Sequence, residues 1–202
     1  MKTATHTRNQ RESFVEGRRS RVSFACATIL LLLLTTLASA KRRDPLTEAE
    51  ADEVRQAALE PYKRIKLFIK FSDARLESID QLRADPKQAD GRGRKIHDLL
   101  EDFTALMDEV NDNLDQYQGR PLNKDDRKDF HKGLKEVIEA CDKWEAHLKT
   151  LQTATETDPQ MQKESQDYRF VLQDAQDAVK SSAEVAREYV ETTPIEPKDK
   201  KK

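Results

Sequence analysis

Two cysteines, five glycines and seven prolines in 202 residues leave little room for several common designs. Two thiols cannot build a disulfide scaffold or a four-thiolate zinc site. With so few glycines the chain has no phosphate-cradling loop and little of the turn chemistry that a sheet-rich fold needs. Aromatic residues are scarce at 6%, and neither sign of charge dominates: 36 Lys and Arg face 38 Asp and Glu, a formal net charge of −2. That balance argues against a dedicated DNA or RNA binder. The length allows one domain of ordinary size with tails.

The longest uncharged stretch is Val22 to Ala40. Before it, residues 1–21 carry Lys2, Arg8, Arg11, Arg18, Arg19 and Arg21 against Glu12 and Glu16. Inside it, Ile29 to Leu34 is an unbroken aliphatic run, and Ala38-Ser39-Ala40 is a small-x-small cleavage site. A basic start, an apolar middle and an Ala-x-Ala end read as a secretory signal peptide over 1–40, cut between Ala40 and Lys41. The protein is therefore expected to be exported, either periplasmic or secreted. The alternative is a membrane anchor of uncleaved residues 22–40: Lys41-Arg42-Arg43 resists translocation, and 19 uncharged residues can just span a bilayer. Arg21 stands where a twin-arginine leader wants an apolar residue, and Cys26 precedes the aliphatic run, the wrong side for a lipoprotein cysteine. Cleavage would remove six basic and two acidic residues, leaving 162 residues with a net charge of −6 and one thiol, Cys141.

After a short basic linker at 41–45, the chain reads as four amphipathic helices. Thr47 and Glu50 form a capping box, and Val54, Ala58, Tyr62, Ile65, Phe68, Ser72, Leu76 and Ile79 follow on one face. Pro61 lies inside that pattern and is expected to kink the helix near Ala57–Glu60, with a full break as the alternative. Pro86 and Gly91 mark a loop. A second helix, from about Gly93 to Gln118, carries Ile96, Leu99, Leu100, Phe103, Leu106, Met107, Val110, Leu114 and Tyr117, and Gly119 and Pro121 stop it. Asn123 caps a third with Phe130, Leu134, Val137, Cys141, Trp144, Leu148 and Leu151. Asp158-Pro159 starts a fourth with Met161, Ser165, Tyr168, Leu172, Ala175, Val179, Ser182, Ala186 and Tyr189. The expected fold is all-α: a long antiparallel up-down-up-down four-helix bundle over 46–191 with coiled-coil-like packing. Residues 192–202 read as a disordered basic tail. A shift of 76 residues superposes Pro45-Leu46-Thr47 on Pro121-Leu122-Asn123 and one set of seam positions on another, a hint of duplicated hairpins.

Chemistry-bearing constellations are few. No Glu lies three residues before any His, so the carboxylate-bridged di-iron pattern is absent, as is the haem-attaching Cys-x-x-Cys-His. Met107 with Asn111-Asp112-Asn113-Leu114 resembles the first helix of periplasmic four-helix b-type cytochromes, but the fourth helix has no His for the second ligand, so no cofactor is expected. Cys141 sits on a helix seam and reads as an inert buried thiol. Asp98, Glu101, Asp102, Asp108, Asp112 and Asp115 form an acidic flank that reads as a solvated face, with loose divalent-cation binding as the alternative. No catalytic residue and no metal ligand is assigned.

The most unusual stretch is Tyr62 to Phe71, where basic residues alternate with apolar ones. If Ile65, Phe68 and Ile69 face the core, then Leu67 and Phe71 form a second apolar strip rimmed by Lys63, Arg64 and Lys70. Such a strip reads as a protein-contact face, for a partner or for self-association, and less readily as a weak membrane contact. The expected function is that of an exported, non-enzymatic helical protein acting through protein–protein contacts. Two alternatives stand beside it. One is a periplasmic chaperone or envelope-stress protein: Leu46-Thr47-Glu48-Ala49-Glu50 resembles the Leu-Thr-x-x-Gln helix starts of small helical chaperones, with Glu in place of Gln. The other is a ligand- or metal-binding helical protein.

Overall fold

The computed structural model describes residues 43–193. The leader, the cleavage residues Ala38, Ala40 and Lys41, and the tail beyond Thr193 lie outside the described residues. Among the described residues every regular element is helical: α1 Glu48–Gln56, α2 Pro61–Ala84, α3 Arg92–Gln118, α4 Lys124–Thr157, α5 Pro159–Glu164 and α6 Arg169–Thr192. Short 3-10 turns occupy Pro86–Gln88 and Ser165–Asp167. No helix among them is long and apolar enough to cross a membrane.

Local chemistry sets the helix ends. Thr47 accepts from the Glu50 amide while the Glu50 carboxylate accepts from the Thr47 amide at 2.8 Å, satisfying donors at both ends of the first turn. Asn123 accepts from the amides of Asp125 and Asp126, both at 2.9 Å, and Asp158 accepts from Gln160 and Met161. Pro159 at the first position of α5 gives up a donor that would have had no partner.

The helices bury the seams that their periodicity predicts. Every named seam residue of α3 from Ile96 to Tyr117 is buried except half-buried Leu99, and all seven of α4 are buried. α2 packs on α3 and α4, and α6 packs on the same two helices from the other side. α3 and α4 are consecutive but are not packed along each other. The contacts between the two hairpins run in parallel register. Tyr62 meets Glu136, Asp73 meets Trp144, Arg92 meets Glu164 and Asp115 meets Tyr189, with partners 74, 71, 72 and 74 residues apart. α2 therefore runs alongside α4, and α3 alongside α6. Trp144 sits where three helices meet: its indole N–H donates to Asp73 of α2 at 2.8 Å, and its ring meets Phe103 of α3 edge-on at 5.5 Å.

Two of the four expected helices are split. Pro61 breaks the first rather than kinking it. Proline has no amide to bond the Ala57 carbonyl, so that carbonyl accepts from Glu60 in a tight turn and Pro61 opens α2. The phase slips across the break: Ala57 is buried and Ala58 is exposed. α1 then lies back against α2, with Glu53 on Lys70 at 2.9 Å and Glu50 on Arg75 at 2.6 Å.

The fourth helix breaks at Ser165–Tyr168. Here Arg92 grips Glu164 through two bonds of 2.8 and 2.9 Å, and the turn presses on the start of α3. A Cβ on Gly93 would lie 2.7 Å from the Glu164 carbonyl and 2.6 Å from an Asp167 carboxylate oxygen, so only glycine permits this approach.

Candidate functional site

The structure separates the residues of the Tyr62–Phe71 contact face. Phe71 is 2% exposed and belongs to the core, and Leu67 is half-buried against it. This corrects the expected apolar strip: the stretch from Lys70 to Arg75 is where α1 folds back, and bonds at both of its ends tie α1 down. Lys70 is exposed, pairs with Glu53 and lies 5.3 Å over the Phe71 ring. Arg64 is half-buried on the α3 side, where its charge opposes the rise that burial and Asp112 impose on the Glu109 carboxyl. Lys63 borders a cavity, and it pairs with Glu60 at 3.2 Å.

That cavity is a groove of about 430 Å³ at the end of the molecule where the α1–α2 and α3–α4 connections meet. Its floor and walls come from Leu59, Pro61, Tyr62, Tyr117, Pro121, Leu122 and Phe130. Its rim carries Glu60, Asp126 and Asp129 with Lys63 and Arg120. Pro61 and Pro121 hold both connections in extended or turn geometry, which keeps helix from filling the space. Tyr62 donates to Glu136 at 2.5 Å, and Lys132 lies 4.9 Å over its ring, so its face toward α4 is fixed. Burial and the Glu136 bond both raise the Tyr62 hydroxyl above its usual value. Arg120 covers Tyr117 at 5.4 Å. Leu59, 95% exposed, stands on the wall. Sequence reasoning missed this site because its halves lie about sixty residues apart. The one local signal was Leu59, an apolar residue off the helical face and two before a proline.

A larger cleft of about 710 Å³ lies between the end of α4 and the start of α6. It is polar, with Gln152, Gln162, Gln166, Gln173 and Gln176 among its lining. Phe170, beside it in sequence, is 69% exposed with Arg169 4.5 Å over its ring.

On the acidic flank, His97 Nδ1 lies 3.5 Å from Asp98 and 3.9 Å from Glu101, and one ligand atom from each falls within 4.8 Å of the others. Nitrogen and carboxylate donors at this spacing suit a borderline divalent cation, with the remaining positions open to water. His131, by contrast, is buried against the Thr193 carbonyl, so it does not join this group.

Cys141 is 1% exposed, and burial pushes its thiol up to about 12, which suppresses the nucleophilic thiolate. In comparisons with known proteins, no family model, no curated protein and no solved structure matches this chain.

Proposed function

We propose that this is an exported, non-enzymatic helical-bundle protein that acts by holding a protein partner in the groove between the α1–α2 and α3–α4 connections. The bundle is read as four main helices, up-down-up-down, in two hairpins laid side by side. The observation that carries the reading is the groove itself: an apolar, proline-walled recess with a nearly fully exposed leucine, which with Phe170 makes the pair of large apolar side chains left exposed among the described residues. A recess of this size takes two or three side chains. Its walls are connections rather than helix faces, which suits a short extended segment with one apolar anchor between charged residues.

The test is selection of random peptides on the purified chain. An enriched apolar anchor is expected, with nitrogen-edited spectra shifting at residues 58–63 and 117–130. Lys63→Glu and Leu122→Ser should each weaken the selected peptide at least several-fold. No enriched pattern, or binding untouched by both substitutions, would refute the reading.

A second reading, a metal-binding helical protein, draws support from His97, Asp98 and Glu101. Zinc titration followed at the His97 ring protons would show saturable binding lost in His97→Ala. A response that does not saturate would remove this reading.

A further inference from the structure

α1 is the least committed element of the described chain. None of its nine residues is buried. It is held by Glu50 on Arg75, by the Pro45 carbonyl accepting from Arg75 at 2.7 Å, and by Glu53 on Lys70. Leu46 and Val54 add partly buried contact with the core. These ties all join the segment Pro45–Val54 to the rest of the domain, and none involves the hinge. The same segment of a second chain presents the same carboxylates and the same apolar pair to Arg75 and Lys70.

The hinge favours release. Ala57 is buried and its amide still bonds the Glu53 and Val54 carbonyls, so the hinge proper is Ala58–Glu60, whose amides make two turn bonds, Ala58 to the Arg55 carbonyl at 3.2 Å and Glu60 to the Ala57 carbonyl at 2.9 Å. Glu60 makes no side-chain cap on α2 and is already near-extended at φ −117°, ψ 86°, as the proline after it requires. Opening the turn therefore strains nothing downstream. Leu59, at the centre of the hinge, is 95% exposed.

From these observations we propose that α1 exchanges between two copies of this chain, each α1 docking on the other copy's α2 around a two-fold axis that passes between the hinges. The occupant is a second copy because the negative pair Glu50 and Glu53 is matched to the positive pair Arg75 and Lys70, and the exchanged contacts repeat those of the single chain. Crossing hinges also bring the two Leu59 side chains together, covering an apolar group that a single chain leaves in water. The hinge also forms a wall of the groove, at Ala58, Leu59 and Glu60, but exchange is read from the isotope content of cross-links, which peptide capture in the groove does not set.

The experiment mixes isotope-labelled and unlabelled full chain from micromolar to millimolar concentration, separates monomer from dimer, and joins Glu53 to Lys70 with a zero-length carbodiimide. The dimer fraction should contain Glu53–Lys70 peptides of mixed isotope, and the monomer fraction only unmixed ones. Leu59→Asp, on an exposed side chain, should leave monomer helicity intact and weaken the dimer about tenfold, because it sets two carboxylates together. No dimer at millimolar concentration, a dimer holding only unmixed links, or a Leu59→Asp dimer as tight as the parent would each overturn the proposal.

Discussion

Changing Glu50 to Gln isolates the charge that holds α1 in place. Glutamine can still serve the capping box with Thr47, so the helix start survives while the ion pair with Arg75 is lost. The Arg75 hydrogen bond is the main force lowering the Glu50 carboxyl from 4.5 to about 2; burial opposes it, and the Thr47 amide assists. Both partners are nearly covered, with side chains 10% and 14% exposed, so solvent screens little of the interaction. A carboxyl held that far down is linked to about 3 kcal/mol of stabilisation. A neutral amide–guanidinium bond retains about 1 kcal/mol of it, leaving a loss of about 2 kcal/mol. Because α1 is docked mainly by this contact, the loss should fall on local opening. Amide protection at Val54 and Arg55 should drop by about thirty-fold at neutral pH, while protection in α3 stays unchanged.

The same linkage fixes the pH response. The folded-state value is depressed, so the stabilisation is complete above 4.5 and fades as the pH falls toward 2. Parent protein should lose α1 protection across that window, and Glu50→Gln should not. If the variant keeps its α1 protection to within twofold, or repeats the parent's acid response, the ion pair is not what docks the helix.

Three further outcomes follow from the packing. Gly93→Ala places a Cβ against the Glu164 backbone carbonyl and should cost about 1–3 kcal/mol, read as a lower denaturation midpoint; an unchanged midpoint would mean the 164–167 turn moves aside freely. The Cys141 peptide should stay unalkylated at pH 8 in native protein and react fully in denaturant, as its buried thiol near 12 dictates; native labelling would place Cys141 at the surface. Asp158→Ala removes the cap on α5 and should cost about 1 kcal/mol in urea unfolding, and no loss would show that the α4–α5 corner is held by other contacts.

What the sequence made legible was local. Capping residues at Thr47, Asn123 and Asp158 announce helix starts because the cap lies within three residues of what it satisfies. The seams of α3 and α4 follow from spacing alone and are buried except at half-buried Leu99, but spacing did not announce the buried Asn113, His131 and Ala140 between them. The rest depends on partners far along the chain. Ser165 continues the helical rhythm, and nothing near it announces a break; the turn there meets Arg92 and Gly93 at the start of α3, some seventy residues away in the chain. Phe71 reads as a surplus apolar residue on α2 until α1 is known to fold over its helix. The groove joins residues near 60 to residues near 120, and periodicity carries no information about which loops share an end of the molecule.

The parallel register between the hairpins also sets a timetable for the chain as it is made. α2 and α3 can pair as soon as Gln118 has emerged, yet each of their partners in the second hairpin lies some seventy positions later, with Tyr189, Thr192 and Thr193 meeting the end of α3. At about 5–20 residues per second, the first hairpin would wait roughly 2–8 s for α4 to be complete and roughly 4–15 s for α6. α1, made first, can already be tied to α2 at Lys70 and Arg75, on either side of Phe71, before that interval begins. A helix that contributes little burial to the finished molecule can thus matter most before the molecule is finished.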